Sequence, residues 1–187
     1  MDIGEGEGGP LGPKELAFKA RALAQAHPLT PLAKRYVEKV VGEQRTSQPL
    51  PEIGIWAGAA VINGYCLRRV EEEDVGFTLA PADAEPVDLA GLEDEAASIA
   101  ADLRSGQPGA HALTRTDGGP QPDEGRAVAA LDLIIGSEVG RRLDHWRDDV
   151  DETAWAELEE YLTWWVVKGY ALRVAEMATG AVLHVPS

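Results

Sequence analysis

Cysteine is almost absent from this chain. Cys66 is the only one, so no disulfide can close within it, and a reducing compartment suits it. Basic residues are also scarce, with 17 lysines and arginines against 32 acids and a net charge of −15. Affinity for a phosphate backbone requires a basic face. The few cations here are interleaved with acids, as where Arg68 and Arg69 precede Glu71, Glu72, Glu73 and Asp74. Neither nucleic acid nor an anionic membrane surface is expected as a partner. A protein partner with a basic surface fits the charge better. Long apolar runs are missing too. The longest, Ile53 to Leu67, is interrupted by Asn63 and several glycines and is too short to span a bilayer. The first residues lack the positive and apolar regions of a signal peptide, so a cytoplasmic location is expected.

What is present is ordinary globular material. The chain has 187 residues, of which 44% are apolar, and a chain of this size buries roughly 70% of the surface its unfolded form exposes. Residues 1–12 read as a disordered acidic, glycine-rich tail, and residues 13–187 as a single helical domain. Gly4 to Gly9 spells G-x-G-x-x-G, but it follows no strand and opens no helix, so it is not a dinucleotide fingerprint.

Helical spacing of apolar residues predicts about six helices and an all-α bundle. The first runs from Pro13 to about His27. The second begins behind Thr30 as N-cap, with Pro31 in its first turn. The third covers Pro51 to about Asp74, the fourth is capped by Asp88 and ends near Gly106, the fifth covers Asp123 to about Arg147, and the sixth is capped by Asp151 and ends near Ala178. Residues 106–122 read as a mobile linker, because a structureless connection of that length is uncommon inside a compact domain. The tail from Ala181 to Ser187 reads as a short extended segment.

The third and sixth helices carry one pattern twice. Val-Ile-Asn-Gly-Tyr-Cys-Leu-Arg begins at Val61, and Val-Val-Lys-Gly-Tyr-Ala-Leu-Arg at Val166. Val40-Val41-Gly42 similarly resembles Ile134-Ile135-Gly136. Helix order and pattern repeating together predict an internal duplication into units 13–74 and 88–180, related by a pseudo-two-fold axis. Gly64 and Gly169, unfavourable inside helices, are expected where two helices approach closely. Gly54/Gly58 and Gly136/Gly140 share the same spacing logic.

Polar residues at matched positions in apolar helices are the candidates for function. Arg68 and Arg173 lie one turn beyond Gly64 and Gly169, on the same faces. A buried arginine demands an acid, and Glu43 and Glu138 on the neighbouring helices are the expected partners. Two readings follow. In one, these groups form interhelical salt bridges that fix packing. In the other, Glu43, Tyr65, Arg68, Glu138, Tyr170 and Arg173 line a polar pocket between the units. The acidic runs Glu71 to Asp74 and Glu157 to Glu160 are expected on solvated faces.

No metal ligand set emerges. None of the histidines follows a Glu at the spacing of helical carboxylate sites, and Asp144, His145, Asp148 and Asp149 read as a solvated helix end. Gly136-Ser137-Glu138-Val139-Gly140 is not a nucleophile elbow, and Cys66 reads as a small core residue. No catalytic residue or cofactor is assigned. Trp164 and Trp165 point about 100° apart on a helix and are expected at a core edge that, with Tyr161, marks a homodimer face or a ligand cleft. The sequence thus favours a non-enzymatic interaction, scaffold or regulatory protein, homodimeric through its third and sixth helices. The alternative is a small-molecule-binding or metal-dependent hydrolytic protein with its pocket between the units.

Overall fold

The computed structural model describes residues 9–48, 51–76, 88–105, 113, 115, 118–123, 125–144 and 152–178. They form six α-helices: α1 Pro13–Gln25, α2 Pro31–Ser47, α3 Pro51–Val75, α4 Leu89–Arg104, α5 Arg126–Leu143 and α6 Glu152–Ala178. No strand occurs among the described residues. The expected linker core, the cap Asp151, His145 to Asp149 and the tail 179–187 lie outside them, apart from scattered residues of the linker.

Helix starts follow their capping chemistry. Thr30 Oγ1 accepts from the Ala33 amide at 3.2 Å, with Pro31 in the first turn. Asp88 Oδ1 accepts from the Gly91 amide at 2.7 Å. These bonds satisfy amide groups that a helix start leaves without partners. α5 begins at Arg126, later than the expected start near Asp123. Asp123 Oδ1 takes the Gly125 amide at 3.0 Å, an Asx turn that holds the backbone out of the helix. α1 ends at Gln25, and His27, whose φ of 48° is left-handed, turns the chain away just before Pro28.

α3 and α6 form the central pair. They run parallel: Ile53 meets Tyr161, Val61 meets Gly169, and Glu72 meets Arg173, in the same order along both helices. α1 and α2 pack on α3, α4 packs on α6, and α5 touches α1, α6 and α3. Every residue of α6 from Val166 to Met177 is buried. A helix covered on all sides carries no apolar stripe, which is why its sequence looks apolar all round.

The two backbones touch at the glycines. A Cβ on Gly64 would fall on the Val166 carbonyl oxygen, and a Cβ on Gly169 on the Val61 carbonyl oxygen. Each glycine therefore presents a Cα hydrogen to a carbonyl of the other helix, the arrangement of a weak C–H···O bond. Gly54 and Gly58 are likewise filled against Arg45 and Val41 of α2. Gly136 and Gly140 differ: among the described residues nothing stands where their Cβ would be, so the close approach that their spacing permits is not made there. The close approach of α3 and α6 expected at Gly64 and Gly169 is made within one chain.

The end of the expected N-terminal tail is held down. The Leu11 amide donates to the Asp74 carboxylate at 3.2 Å, and Arg126 Nη1 donates to the Leu11 carbonyl at 2.9 Å. Arg126 and Asp74 also pair directly at 2.6 Å.

Candidate functional site

Beyond the glycine crossing, the α3/α6 seam turns from apolar to ionic. Tyr65, Arg68, Glu71 and Glu72 follow one another along α3, and Tyr170, Arg173 and Glu176 along α6, at spacings of three or four residues that keep them on one face. All seven are buried.

The contacts come in exchanged pairs. Tyr65 Oη donates to Glu176 Oε2 at 2.6 Å, and Tyr170 Oη donates to Glu71 at 3.0 Å. Arg68 Nη1 donates to Tyr170 Oη at 2.8 Å, and Arg173 Nη1 to Tyr65 Oη at 3.2 Å. Each guanidinium sits over the ring it bonds, 5.3 Å from the Tyr170 centroid and 5.5 Å from that of Tyr65, within cation–π range. Each arginine also pairs with the acid one turn further on, Arg68 with Glu71 at 3.0 Å and Arg173 with Glu176 at 3.4 Å. Glu72 breaks the exchange. It takes Arg173 from Nε at 3.1 Å and Nη2 at 2.9 Å, a forked pairing that suits guanidinium and carboxylate. The corresponding position on α6 is Met177. Thr30 completes the layer by donating its hydroxyl to Glu176, so one side chain caps α2 and reaches α6.

Burial sets the electrostatics. Removing a charge from water is expensive unless hydrogen bonds replace the water. Burial pushes the Glu71 carboxyl above its usual range, against the pull of Arg68, the Tyr170 hydroxyl and Arg126. The Tyr65 phenol is pushed up to about 12 by burial and by Glu176, and the Tyr170 phenol is raised by burial and Glu71. Burial would weaken the Arg173 proton affinity, but the bonds to Glu72 and the nearby Tyr65 and Glu176 raise it overall. Both phenols therefore remain protonated donors, and the Arg173 guanidinium remains charged. Cys66, on the same helix, is buried and its thiol is pushed up to about 12 by that burial, which leaves little reactive thiolate at neutral pH.

Of the residues singled out from sequence, Tyr65, Arg68, Tyr170 and Arg173 are brought together. Glu138 and Glu43 are not their partners. Glu138 is 1% exposed on α5, where it accepts from Asn63 at 3.3 Å and from Arg142 at 3.3 Å. Glu43 lies exposed on α2 beside Lys39, 3.8 Å away. The acids that do meet the arginines, Glu71, Glu72 and Glu176, come from α3 and α6 themselves. The run from Glu71 to Asp74 is consequently not a solvated face: only Glu73 is exposed, because α3 stays covered by α6, Arg126 and Leu11 to its last turn. The sequence did hold one clue, since Arg68 to Glu71 and Arg173 to Glu176 repeat one spacing in the two matched helices.

Asn63 and Lys168 take up the remaining matched polar positions. Asn63 bonds Ala59 and Glu138. Lys168 is buried, stands 5.2 Å from the Trp164 ring centre, and has its ammonium proton affinity lowered by burial. Trp164 also takes Arg104 at 5.9 Å, and Trp165 meets Tyr161 edge-on with centroids 6.3 Å apart. Both tryptophans are half-buried.

Among the described residues, no group of three or more His, Cys, Asp or Glu is placed to hold a metal ion, and no helix is long and apolar enough to cross a membrane. A groove of about 220 Å³ between α4, α5 and α6, lined by Leu103, Leu131, Ile135 and Val167, lies away from the ionic layer. Comparison of the chain with protein-family models, with curated proteins and with solved structures finds no match.

Proposed function

We propose that this chain is a non-enzymatic helical interaction protein, built from two similar three-helix units that share one α3/α6 seam. The observation that carries the reading is how the buried layer uses its groups. Arg173 gives Nε and Nη2 to Glu72 and Nη1 to Tyr65 and Glu176, and Arg68 gives Nη1 to Glu71 and Tyr170, which is the work of a packing device. A pocket would instead leave guanidinium donors facing a cavity. The exchanged contacts, falling at one constant offset along α3 and α6, support an origin by duplication and a pseudo-two-fold axis along the seam. The acidic surface and the lone buried thiol suit a cytoplasmic protein whose partners are proteins.

A homodimer belongs to the same reading, on a face other than α3 and α6. Phe18 of α1 is 74% exposed and Leu133 of α5 is 43% exposed, and Gly136 and Gly140 leave the α5 backbone open beside Leu133. Exposed apolar side chains next to accessible backbone favour association. Sedimentation of the purified chain, alone and with Leu133→Asp, tests it: a dimer that becomes a monomer supports the face, and a wild-type monomer removes it. The reading as a whole is tested by native mass spectrometry with identification of released species. Bare chains or protein complexes agree with it, whereas a stoichiometric retained metabolite or metal overturns it in favour of a pocket.

A further inference from the structure

α6 begins outside the bundle. From Glu152 to Glu157 every residue is exposed, Leu158 and Tyr161 are half-buried, and Leu162 is fully buried. The apolar stripe does not stop where burial stops. Trp155, Leu158, Leu162 and Trp165 recur at spacings of three and four, which places them along one face, and the outermost, Trp155, is 38% exposed. Short helices in water are marginal and draw their stability from packing of an apolar face. These first turns thus carry a packing stripe with little to pack on.

Charge says what covers it. From Glu152 to Val167 the helix holds Glu152, Glu157, Glu159 and Glu160 and no cation; Lys168 is its first. Glu152 and Glu159 lie together along one edge of the Trp155 stripe, by the 100° step of the helix. Pairing this face with a second copy would set glutamates against glutamates, and like charges across an interface are disfavoured. On the interaction reading above, we infer that the first turns of α6 dock, through Trp155 and Leu158, into an apolar cleft rimmed by lysine and arginine on a different protein. Helices enter grooves through such anchors, tryptophan is among the residues that carry most interface energy, and the glutamates select the rim.

The test places a benzophenone photocross-linker at position 155 of the full chain, expressed in its native cells. Position 153, on the opposite face of the same turns, is the control. The expected result is one heterologous protein joined from 155 and not from 153. Its cross-linked peptide should carry apolar residues flanked by lysine or arginine, and the yield should fall at least tenfold with Glu152→Lys and Glu159→Lys together. Cross-links to a second copy of the chain, to lipid, or to no protein overturn the inference, as does a yield indifferent to the charge reversal. If native mass spectrometry still finds a protein complex after any of those outcomes, the interaction reading stands and only this face is lost.

Discussion

The two ends of α6 use the same residue for opposite purposes. At its start, Glu152, Glu157 and Glu159 stand in water and serve solubility and, by the inference above, recognition. At its end, Glu176 is 0% exposed and is held by Thr30, Tyr65 and Arg173. Nothing in the glutamate decides this. What decides it is whether α3 lies alongside, since α3 begins at Pro51 and first meets α6 near Tyr161 through Ile53. An acid outside that overlap is hydrated. An acid inside it must be matched donor by donor, which makes the inner end demanding and the outer end tolerant.

The strongest way to break this contrast is at the inner end. Arg173→Met strips the forked partner from Glu72, leaving that buried carboxylate without its hydrogen-bonded cation, and removes one of several donors from Glu176. Removing one member of a buried ion pair typically destabilises by about 3–5 kcal/mol, and urea unfolding of the purified chain should show a loss of that size. Gly169→Ala comes next. Its Cβ would meet the Val61 backbone, which cannot rotate away, so α3 and α6 must separate. Overpacking of this kind costs about 3 kcal/mol. The comparison at Gly136→Ala sharpens it: a Cβ there meets open space, and Ala should stabilise the helix by about 1 kcal/mol, or weaken the proposed dimer while doing so.

Tyr65→Phe and Tyr170→Phe remove one hydroxyl each from exchanged positions. Each hydroxyl donates to a glutamate and accepts from an arginine, so each loss should cost about 1–2 kcal/mol. The two need not match. Glu176 keeps Thr30 as a donor, whereas Glu71 keeps only Arg68 among its described hydrogen-bond donors. Tyr170→Phe is therefore expected to be the costlier in thermal unfolding, and equal losses would mean that Thr30 contributes little.

The sequence made the helices legible because capping residues, prolines and apolar spacing act locally. Thr30, Pro31 and Asp88 mark their boundaries by chemistry that needs no tertiary partner. The glycine crossing was legible for a related reason: Gly64 and Gly169 are poor choices inside a helix unless a neighbour occupies the Cβ space. The acids of the site were not. Glu71 and Glu72 sit in a run of four acids that resembles any solvated helix end, and their burial depends on Tyr170 and Arg173 of α6, about a hundred residues away in the chain. Glu43 and Glu138 looked suitable from helix adjacency alone, but adjacency does not fix rotation about the helix axis. Half a turn separates a residue facing Arg68 from one facing solvent.

The smallest expected effect bears on the same contrast through pH. Burial holds the folded-state pKa of Glu71 above its usual value, so the folded chain binds this proton more tightly than the unfolded chain. Stability from this group is then fully present below the unfolded carboxyl pKa of about 4.3, and is lost as pH rises through the higher folded value. The difference in unfolding free energy between wild type and Glu71→Gln should accordingly fall as pH climbs from about 4 towards neutrality. Glu157→Gln, at the exposed outer end of α6, should stay within about 0.5 kcal/mol of wild type in urea unfolding. A Glu71 difference that grows with pH would mean that Arg68 and Tyr170 more than offset the burial, and the inner carboxylate would then be held in its charged form by its partners.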